Sequence, residues 1–348
     1  MGLFTSRKDT KIAAMAATST ASTAAGTLIA ANGATVGRDR AMRIPTVSRA
    51  RDLICSMAAN LPWHHQLVQW TGEDIEYVPL PLEPWMDRPE QRVTRAHTVA
   101  WTVDDLFFHG RAHWYITARY ADGRPAGFQR LPATDVLIEA DTFANGVPVG
   151  PYTLNYIGTT IPATDVISFW SPIAPFLQTA ARSLFIAERL DQAALRFAST
   201  PAALGWLRQV GGEPLSNDEL QELAQAWQDA RDLGSIAAIN EFVEWNESSM
   251  DPSKMQLVEA RQYQALEMSR AANIPPYLVG VNAAGFTYSN AEQSVRDLYL
   301  FGALPYILCI SETLSSSEVT ARGHVVRLEM RDSEMMPNND ESPREVPV

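Results

Sequence analysis

The sequence predicts an α+β fold in which a sheet-rich first half is followed by long helices. Between residues 111 and 170, apolar and polar side chains alternate, which is the period of strands with one buried face. From residue 176 onward, apolar side chains recur every three to four positions, as on amphipathic helices. The 348 residues, of which 46% are hydrophobic and 20% charged, are sufficient for two folded domains.

The first 93 residues contain one clear helix. Residues 1–44 are rich in small residues and poor in large apolar ones, so they cannot bury enough surface to fold alone, and we expect a mobile basic arm. Helical periodicity starts at Thr46 and ends before Pro62. Residues 63–93 contain four prolines, which predicts a loop with short extended pieces.

A second helix and a hairpin follow. The helix begins after Thr94 and ends at Gly110, a residue that accepts the left-handed conformation common after a last helical turn. On this helix Asp104 and Asp105 are successive residues, and we expect them to lie on a solvated face. The Asp122-Gly123 pair predicts the turn of a β-hairpin.

The second half alternates helices with short strands. A helix is predicted over 177–197 and a strand over 204–210. Ser216 and Glu219 have the spacing of a capping box and open a helix that runs to Asp232. A further helix runs over 251–272. The last helix opens at a second capping box, Ser289-Asn290-Ala291-Glu292, and Pro305 in its middle is predicted to kink it.

The sequence carries no signature of catalysis. It lacks a P-loop, a dinucleotide-binding glycine pattern, a nucleophile elbow and a metalloprotease motif. His109 and His113 are four residues apart but are separated by a helix end, so we interpret them as structural or surface histidines. Cys55 and Cys309 are too few for a disulfide framework and are predicted to be buried free thiols. We therefore expect no enzyme, no metal and no cofactor.

Charge is unevenly distributed along the chain. The net charge is −12, and residues 201–250 carry nine acidic but only two basic side chains. Proteins that grip DNA show the opposite sign. The longest strongly apolar run without charge, 298–310, is shorter than the ~20 residues that span a bilayer, and no clear secretion signal precedes it, so we expect no membrane partner.

The stretch between residues 263 and 314 resembles the portal proteins of tailed double-stranded-DNA bacteriophages. Ile274-Pro275-Pro276-Tyr277-Leu278-Val279-Gly280 matches the family's break after an amphipathic helix. Ser289-Asn290-Ala291-Glu292-Gln293 matches the opening of its long kinked helix. The stretch Arg49–Trp63 is similar to the family's first helix, and the resemblance extends in order over about residues 45–330.

This resemblance implies the portal fold: a wing, a two-helix stem, a strand-helix-strand clip and a long kinked helix, in a chain that forms rings. The implied organisation is a basic arm (1–44), the first part of the wing (45–177), stem helix 1 (178–199), the clip (200–250), stem helix 2 (251–274), the tunnel loop (275–288), the kinked helix with the return strand of the wing (289–330) and a disordered tail (331–348).

The implied function is a ring of about twelve copies at one capsid vertex of the virion, assembled in the host cytoplasm. DNA would be packaged through it by terminase and ejected through it later. The implied partners are further copies of the chain, the major capsid protein and scaffold, terminase, a head–tail adaptor, and double-stranded DNA that passes without sequence specificity. Another head–tail connector or structural ring component is the alternative function.

Two groups of residues would carry this function, together with the kink at Pro305. The tunnel loop would meet DNA through an uncharged segment, in which Phe286 and Tyr288 either contact DNA or pack under the loop. The acidic clip would either line the channel and repel phosphate or dock basic surfaces of terminase or an adaptor. The loop residues are Asn282, Ala283, Ala284, Gly285, Phe286, Thr287 and Tyr288; the clip residues are Glu213, Asp218, Glu219, Glu222, Asp229, Asp232, Glu241, Glu244 and Glu247.

Overall fold

Helices and antiparallel strands alternate along the chain, which divides into two units. One unit comprises Met1–Phe185 with Ala265–Val348, and the other comprises Ile186–Gln264. The structure, a computed structural model, describes residues 28–29, 35–199, 205–232, 242–247, 256–281 and 291–330.

Two helices of the first unit, α2 (Pro45–Ala59) and α4 (Arg95–His109), pack against each other. Helix α4 begins after the Thr94 cap, where the side chain accepts the His97 N–H, and ends at Gly110 with φ at 71°. Both predicted ends of this helix are confirmed. The helices of this region are α1 (Arg38–Ala41), α2 (Pro45–Ala59), α3 (Pro84–Asp87) and α4 (Arg95–His109).

The folded region starts earlier than the composition predicts. We assigned residues 1–44 to a mobile arm, but α1 lies within that range and Ala41 is fully buried. The reason is an ion pair: Arg38 reaches Asp104 on α4, a partner 66 residues away that local composition does not reveal.

The described part of the first unit contains three three-stranded sheets. Their orders are β10-β5-β6, β13-β3-β4 and β7-β8-β9, and every pairing is antiparallel. The strands are β1 (Leu28–Ile29), paired with β2 (Thr35–Val36), then β3 (Trp63–Trp70), β4 (Ile75–Leu80), β5 (Arg111–Arg119), β6 (Pro125–Leu131), β7 (Val136–Ala144), β8 (Val147–Tyr156), β9 (Thr159–Pro162), β10 (Val166–Trp170) and β13 (His324–Leu328).

The hairpin of β3 and β4 corrects the prediction of a loop over 63–93. Pro79 lies opposite Gln66 in this hairpin. Because β4 is the edge strand of its sheet, a residue without an N–H can stand there without leaving an unpaired partner. Pro79 therefore marks a sheet edge and not a break in the strand pattern.

The core of the first unit is aromatic. Phe107 stacks on Phe176 with ring centroids 4.8 Å apart, and Trp114 meets Phe169 edge-on at 5.0 Å. All four side chains are at most 2% exposed. Rings of this size dominate core energetics through the area they bury, so this cluster holds α4 against the β10-β5-β6 sheet and against α5 (Phe176–Thr179).

The second unit contains a strand-helix-strand segment, preceded by the larger part of one helix and followed by the first half of another. Strands β11 (Gly205–Gln209) and β12 (Val243–Glu247) pair antiparallel. The capping box is confirmed: the Ser216 N–H donates to the Glu219 carboxylate, and the Glu219 N–H donates to Ser216 Oγ. The helices are α6 (Ala181–Ser199), α7 (Asn217–Asp232) and α8 (Leu257–Ala271).

The last helical stretch is interrupted by a π-helical turn. It consists of α9 (Ala291–Asp297), the π segment Leu298–Ala303 and α10 (Leu304–Leu314). The 22 residues of Gln293–Leu314 are long and apolar enough to cross a membrane by length and composition, and 61% of the apolar window is buried within the protein, as in the core helix of a soluble fold.

Candidate functional site at the base of the 282–290 segment

The predicted tunnel-loop residues Asn282–Tyr288 lie outside the described residues, and so does the second predicted capping box at Ser289 and Asn290. The structure does describe both flanks of this segment, up to Val281 and from Ala291 onward. These flanks form what we call the loop base, residues 273–281 and 291–305. The loop base shows how the fold holds the two ends of the segment.

The upstream flank is a sequence of tight turns. Helix α8 ends at Ala271, and two residues later the φ of Asn273, at 55°, lies in the left-handed region. A 3₁₀ turn, Pro276–Val279, follows and ends at Gly280, with φ at 80°. Two prolines cannot continue a helix because they lack an N–H, and glycine takes the left-handed conformation without a Cβ clash. This explains why the Ile-Pro-Pro…Gly pattern turns the chain sharply after α8.

A shared carboxylate joins the two flanks. Tyr277 Oη donates to Asp297 Oδ2 at 3.0 Å, and Gln293 Nε2 donates to Asp297 Oδ1 at 2.5 Å. Asp297 is only 9% exposed, so both bonds are largely shielded from water, and bonds to a charged acceptor are stronger than neutral ones. Tyr277 comes from the proline break and Gln293 from the helix opening, so the two motifs meet at Asp297.

A second hydrogen bond links the flanks at the π turn. Asn273 Nδ2 donates to the carbonyl of Phe301 at 2.6 Å. Phe301 is four residues before Pro305, which has no N–H to offer to that carbonyl, and the Asn273 side chain supplies a donor instead. The Leu304 N–H reaches back five residues to Tyr299, which is π geometry. The kink predicted at Pro305 stays a prediction; a π turn lies directly before it.

Gly302 allows the π turn to pack closely. A Cβ at Gly302 would lie 2.8 Å from Ile274 Cγ2, 3.3 Å from Leu298 Cδ1 and 3.4 Å from Ile54 Cγ1. The Ile274 methyl is bound to Cβ and moves only with the backbone or a change of χ1. Because Ile274 directly precedes the two prolines, this contact packs the start of the Ile-Pro-Pro…Gly pattern against the π turn.

We expect Gly302→Ala to lower the free energy of unfolding by about 1–3 kcal/mol, the usual cost of overpacking a tight site. Gly37→Ala is the matched control, since nothing lies within 4 Å of its Cβ position and its φ is negative. Urea denaturation of the two variants and the unchanged protein measures the difference. Equal midpoints for Gly302→Ala and the unchanged protein would contradict the packing described here.

The acidic clip residues are largely on the surface. Glu213, Asp218, Glu219, Glu222, Asp229 and Glu244 are exposed; Asp232 and Glu247 lie at the ends of α7 and β12, and Glu241 lies outside the described residues. Glu219 already has a structural role, because hydrogen bonds from Ser216 lower the pKa of its carboxyl. Asp218, Glu222 and Asp229 give α7 an acidic surface.

Asp104 and Asp105 correct the prediction of a solvated face. Asp104 is 1% exposed and Asp105 is 4% exposed. Asp104 accepts from Arg38 Nε at 2.7 Å and from Arg51 Nε at 2.6 Å. Asp105 accepts from Arg130 Nη1 at 2.5 Å and from the Ala133 N–H. The run of apolar residues around both acids, Val103 and Leu106 to Phe108, was the sequence signal for burial.

The three arginines that pair with Asp104 and Asp105 all lie against the ring of one tryptophan. The guanidinium carbons of Arg38 and Arg51 lie 5.0 Å from the Trp101 ring centroid, and that of Arg130 lies at 5.3 Å. Burial raises the pKa of Asp105 to about 6, while Arg130 pulls it down. We call these residues the arginine–aspartate cluster. Its charges hold α1, α2, α4 and β6 together.

His113 is buried without a charged partner. Its Nδ1 lies 3.0 Å from Ser168 Oγ, and its Nε2 has no hydrogen-bond partner among the described residues. Burial, with a smaller effect of Arg111, lowers the pKa of His113 to about 3. His109 is also buried, and the described residues contain no group of three or more side chains suited to a metal. The structural interpretation of both histidines therefore fits their positions.

We expect acid to destabilise the protein through His113. In the unfolded chain histidine titrates near ~6.5, so between there and a pKa of about 3 the unfolded state binds one more proton. The free energy of unfolding then falls as pH falls, by up to about 1.4 kcal/mol per pH unit. Asp105 acts in the opposite direction between about 4 and 6, because its folded pKa is raised.

Urea denaturation at pH 6, 5 and 4 isolates the His113 contribution. As pH falls, the free energy of unfolding of the unchanged protein should drop relative to that of His113→Gln by up to about 1.4 kcal/mol per pH unit, since the Asp105 contribution is common to both and cancels in the comparison. The exposed His97→Gln is the matched control. Parallel curves for the unchanged protein and His113→Gln would exclude a neutral, buried His113.

The two cysteines are buried free thiols, as predicted. Burial raises the pKa of Cys55, and it raises the pKa of Cys309 to about 12. Neither thiol therefore carries a nucleophilic thiolate at neutral pH.

The sequence pattern of the phage portal protein family matches residues 45–339. The chain therefore belongs to the phage portal protein family, whose members are structural proteins and not enzymes. The predicted resemblance and the predicted α+β portal fold are confirmed.

Two curated relatives match most of this chain at low sequence identity. The probable portal protein of Streptomyces phage phiC31 is 22% identical over 308 residues, which cover 80% of this chain; the chain spans 64% of that relative's length. An uncharacterized protein of Rickettsia felis is 24% identical over 300 residues, covering 78% of this chain and 73% of the relative.

Solved structures share the fold. The HK97 family phage portal protein from Corynebacterium diphtheriae aligns with a TM-score of 0.67 at 24% identity, over 85% of this chain and 96% of that one. A chain in the neck of a native gene transfer agent particle, computed with C12 symmetry, aligns with a TM-score of 0.58 at 18% identity, over 91% and 88% of the two chains.

Proposed function

We propose that the chain forms the portal ring of a phage-like virion, with about twelve copies around a channel at one capsid vertex. DNA enters this channel during packaging by terminase and leaves it on ejection, and a head–tail adaptor attaches to the ring. The observation that supports this most is family membership across residues 45–339. The likeness to a chain in a particle neck of C12 symmetry agrees with it.

In this function the Asn282–Tyr288 segment meets the DNA. It carries no charged side chain, so it can contact the duplex sterically without the phosphate pairing that would stop sliding. Support comes from the loop base, where Asp297 receives bonds from Tyr277 and Gln293 on opposite sides of the segment. A loop that touches moving DNA requires ends that do not move with it.

The acidic surface of α7 carries the second part of the proposal. Exposed carboxylates at Asp218, Glu222 and Asp229 recur along that helix. Repeated around a ring, they either repel phosphate in the channel or dock a basic surface of terminase or an adaptor. Salt distinguishes the two uses. Binding of terminase or an adaptor to an acidic surface weakens as ionic strength rises, whereas a channel wall that repels phosphate forms no complex whose affinity could change.

Mass photometry with negative-stain imaging of the purified protein tests the ring. We expect particles with a mass of about 460 kDa, twelve times that of the 38.4 kDa chain, and with a central hole. A protein that stays at the mass of one chain at micromolar concentration, also in the presence of the capsid and scaffold proteins encoded with it, would contradict the proposal.

A further inference from the structure

Arg111, the first residue of β5, is a buried cation that forms no ion pair with the residues that the structure describes. It is 4% exposed, and its Nη2 donates to the carbonyl of Val136 at 3.2 Å. Its Nε is buried and has no hydrogen-bond partner among the described residues. The carboxylate of Asp105 attracts the Arg111 charge, but it is already hydrogen-bonded to Arg130 and to the Ala133 N–H.

The electrostatics agree with an uncompensated charge. Burial lowers the pKa of Arg111 to about 10, and the attraction of Asp105 only partly opposes this. The same positive charge contributes to the low pKa of His113. Leaving a charge buried without a partner is costly. Ionisable groups with strongly shifted pKa values occur at functional sites more often than ordinary surface charges do.

Arg111 lines a cavity of about 740 Å³. Sites for small ligands have this size and are mostly apolar, with few polar groups. The walls include Phe143, Val147, Trp170, Ile173 and Pro175, and Arg111 is the only arginine, lysine, aspartate or glutamate among the residues that line it. The cavity thus combines an apolar wall with one cation.

We propose that this cavity binds a carboxylate attached to an apolar group, with the carboxylate on Arg111. The planar guanidinium matches a carboxylate with two parallel hydrogen bonds. A phosphate dianion fits less well, because one buried arginine neutralises only one of its charges and the apolar walls cannot solvate the other. The apolar part of the ligand would cover Trp170 and Ile173.

Isothermal titration calorimetry with phenylacetate, and with uncharged 2-phenylethanol and inorganic phosphate as comparators, tests the proposal on the intact chain. We expect phenylacetate to bind at least about tenfold more tightly than either comparator. No phenylacetate binding, or equal binding of 2-phenylethanol, would overturn carboxylate recognition. Tighter binding of phosphate would overturn the choice of anion.

Two variants locate the binding. Arg111→Gln should lose at least about tenfold in phenylacetate affinity, provided that its melting temperature shows it folded. Ala174 is exposed and lines the cavity, so Ala174→Trp should fill the cavity and abolish phenylacetate binding while Arg111 keeps its charge. Ala121 is also exposed but does not line the cavity, so Ala121→Trp should leave phenylacetate binding unchanged. Binding that survives Ala174→Trp would place the ligand elsewhere and overturn the proposal.

The same carboxylate chemistry has two sources, a free small molecule or an acidic side chain with apolar neighbours on another chain. Mass photometry of Ala174→Trp, set against Ala121→Trp, distinguishes them. A change in the distribution of assemblies assigns the cavity to a side chain of another copy, and an unchanged distribution together with phenylacetate binding assigns it to a small molecule.

Discussion

Asp104→Ala should lower the free energy of unfolding by about 3–5 kcal/mol, the cost of removing one partner from a buried ion pair. Asp104 is 1% exposed and accepts hydrogen bonds from both Arg38 and Arg51. Without it, two guanidinium groups remain close together over the Trp101 ring with no carboxylate between them. Their mutual repulsion adds to the loss of the bonds.

Asp52→Ala is the matched control for this loss. Asp52 also pairs with Arg51, at 2.9 Å, but it is 60% exposed, and exposed pairs contribute about 0–1 kcal/mol. Urea denaturation followed by tryptophan fluorescence measures both variants. If Asp104→Ala cost no more than Asp52→Ala, the arginine–aspartate cluster would not be a stabilising feature of the first unit.

Local signals in the sequence were sufficient for many elements. The cap at Thr94, the glycine that ends α4 and the capping box at Ser216 act within four residues, so pattern alone locates them. The hairpin turn at Asp122-Gly123 is of the same kind. Such features depend on backbone geometry that neighbouring residues impose, and the rest of the fold rarely overrides them.

Features that depend on distant partners were missed. The aspartates of α4 look solvated until Arg38, Arg51 and Arg130 are brought to them from elsewhere in the chain. Pro79 looks like a break in the chain until β4 is found to be a sheet edge. In each case the residue type is uncommon for its environment, and only tertiary structure shows what compensates for it.

The candidate site shows the same division. The resemblance identified the Ile-Pro-Pro…Gly break and the helix opening at 289–293, but not their connection. The bonds of Tyr277 and Gln293 to Asp297, and of Asn273 to Phe301, join residues up to 28 positions apart. The π turn follows from these contacts and from the space at Gly302, so helical periodicity alone could not predict it.

Replacing Asn282–Tyr288 with a Gly/Ser segment of equal length should leave ring formation intact and abolish DNA packaging or retention. The loop base does not depend on the replaced side chains, because its hydrogen bonds come from Tyr277, Gln293 and Asp297. The replacement keeps the distance that the segment must cover while removing Phe286 and Tyr288, the two large side chains available to contact a duplex.

Packaged DNA protected from nuclease in assembled particles measures the effect, and mass photometry checks the ring. Phe286→Ala with Tyr288→Ala separates aromatic contact from the rest of the loop: packaging lost to the same extent as in the full replacement would assign the function to these two rings. Rings that fail to form would show the segment to be structural. Normal packaging with the full replacement would remove this segment from the DNA path, and the surfaces facing the channel would then have to be sought elsewhere in the ring.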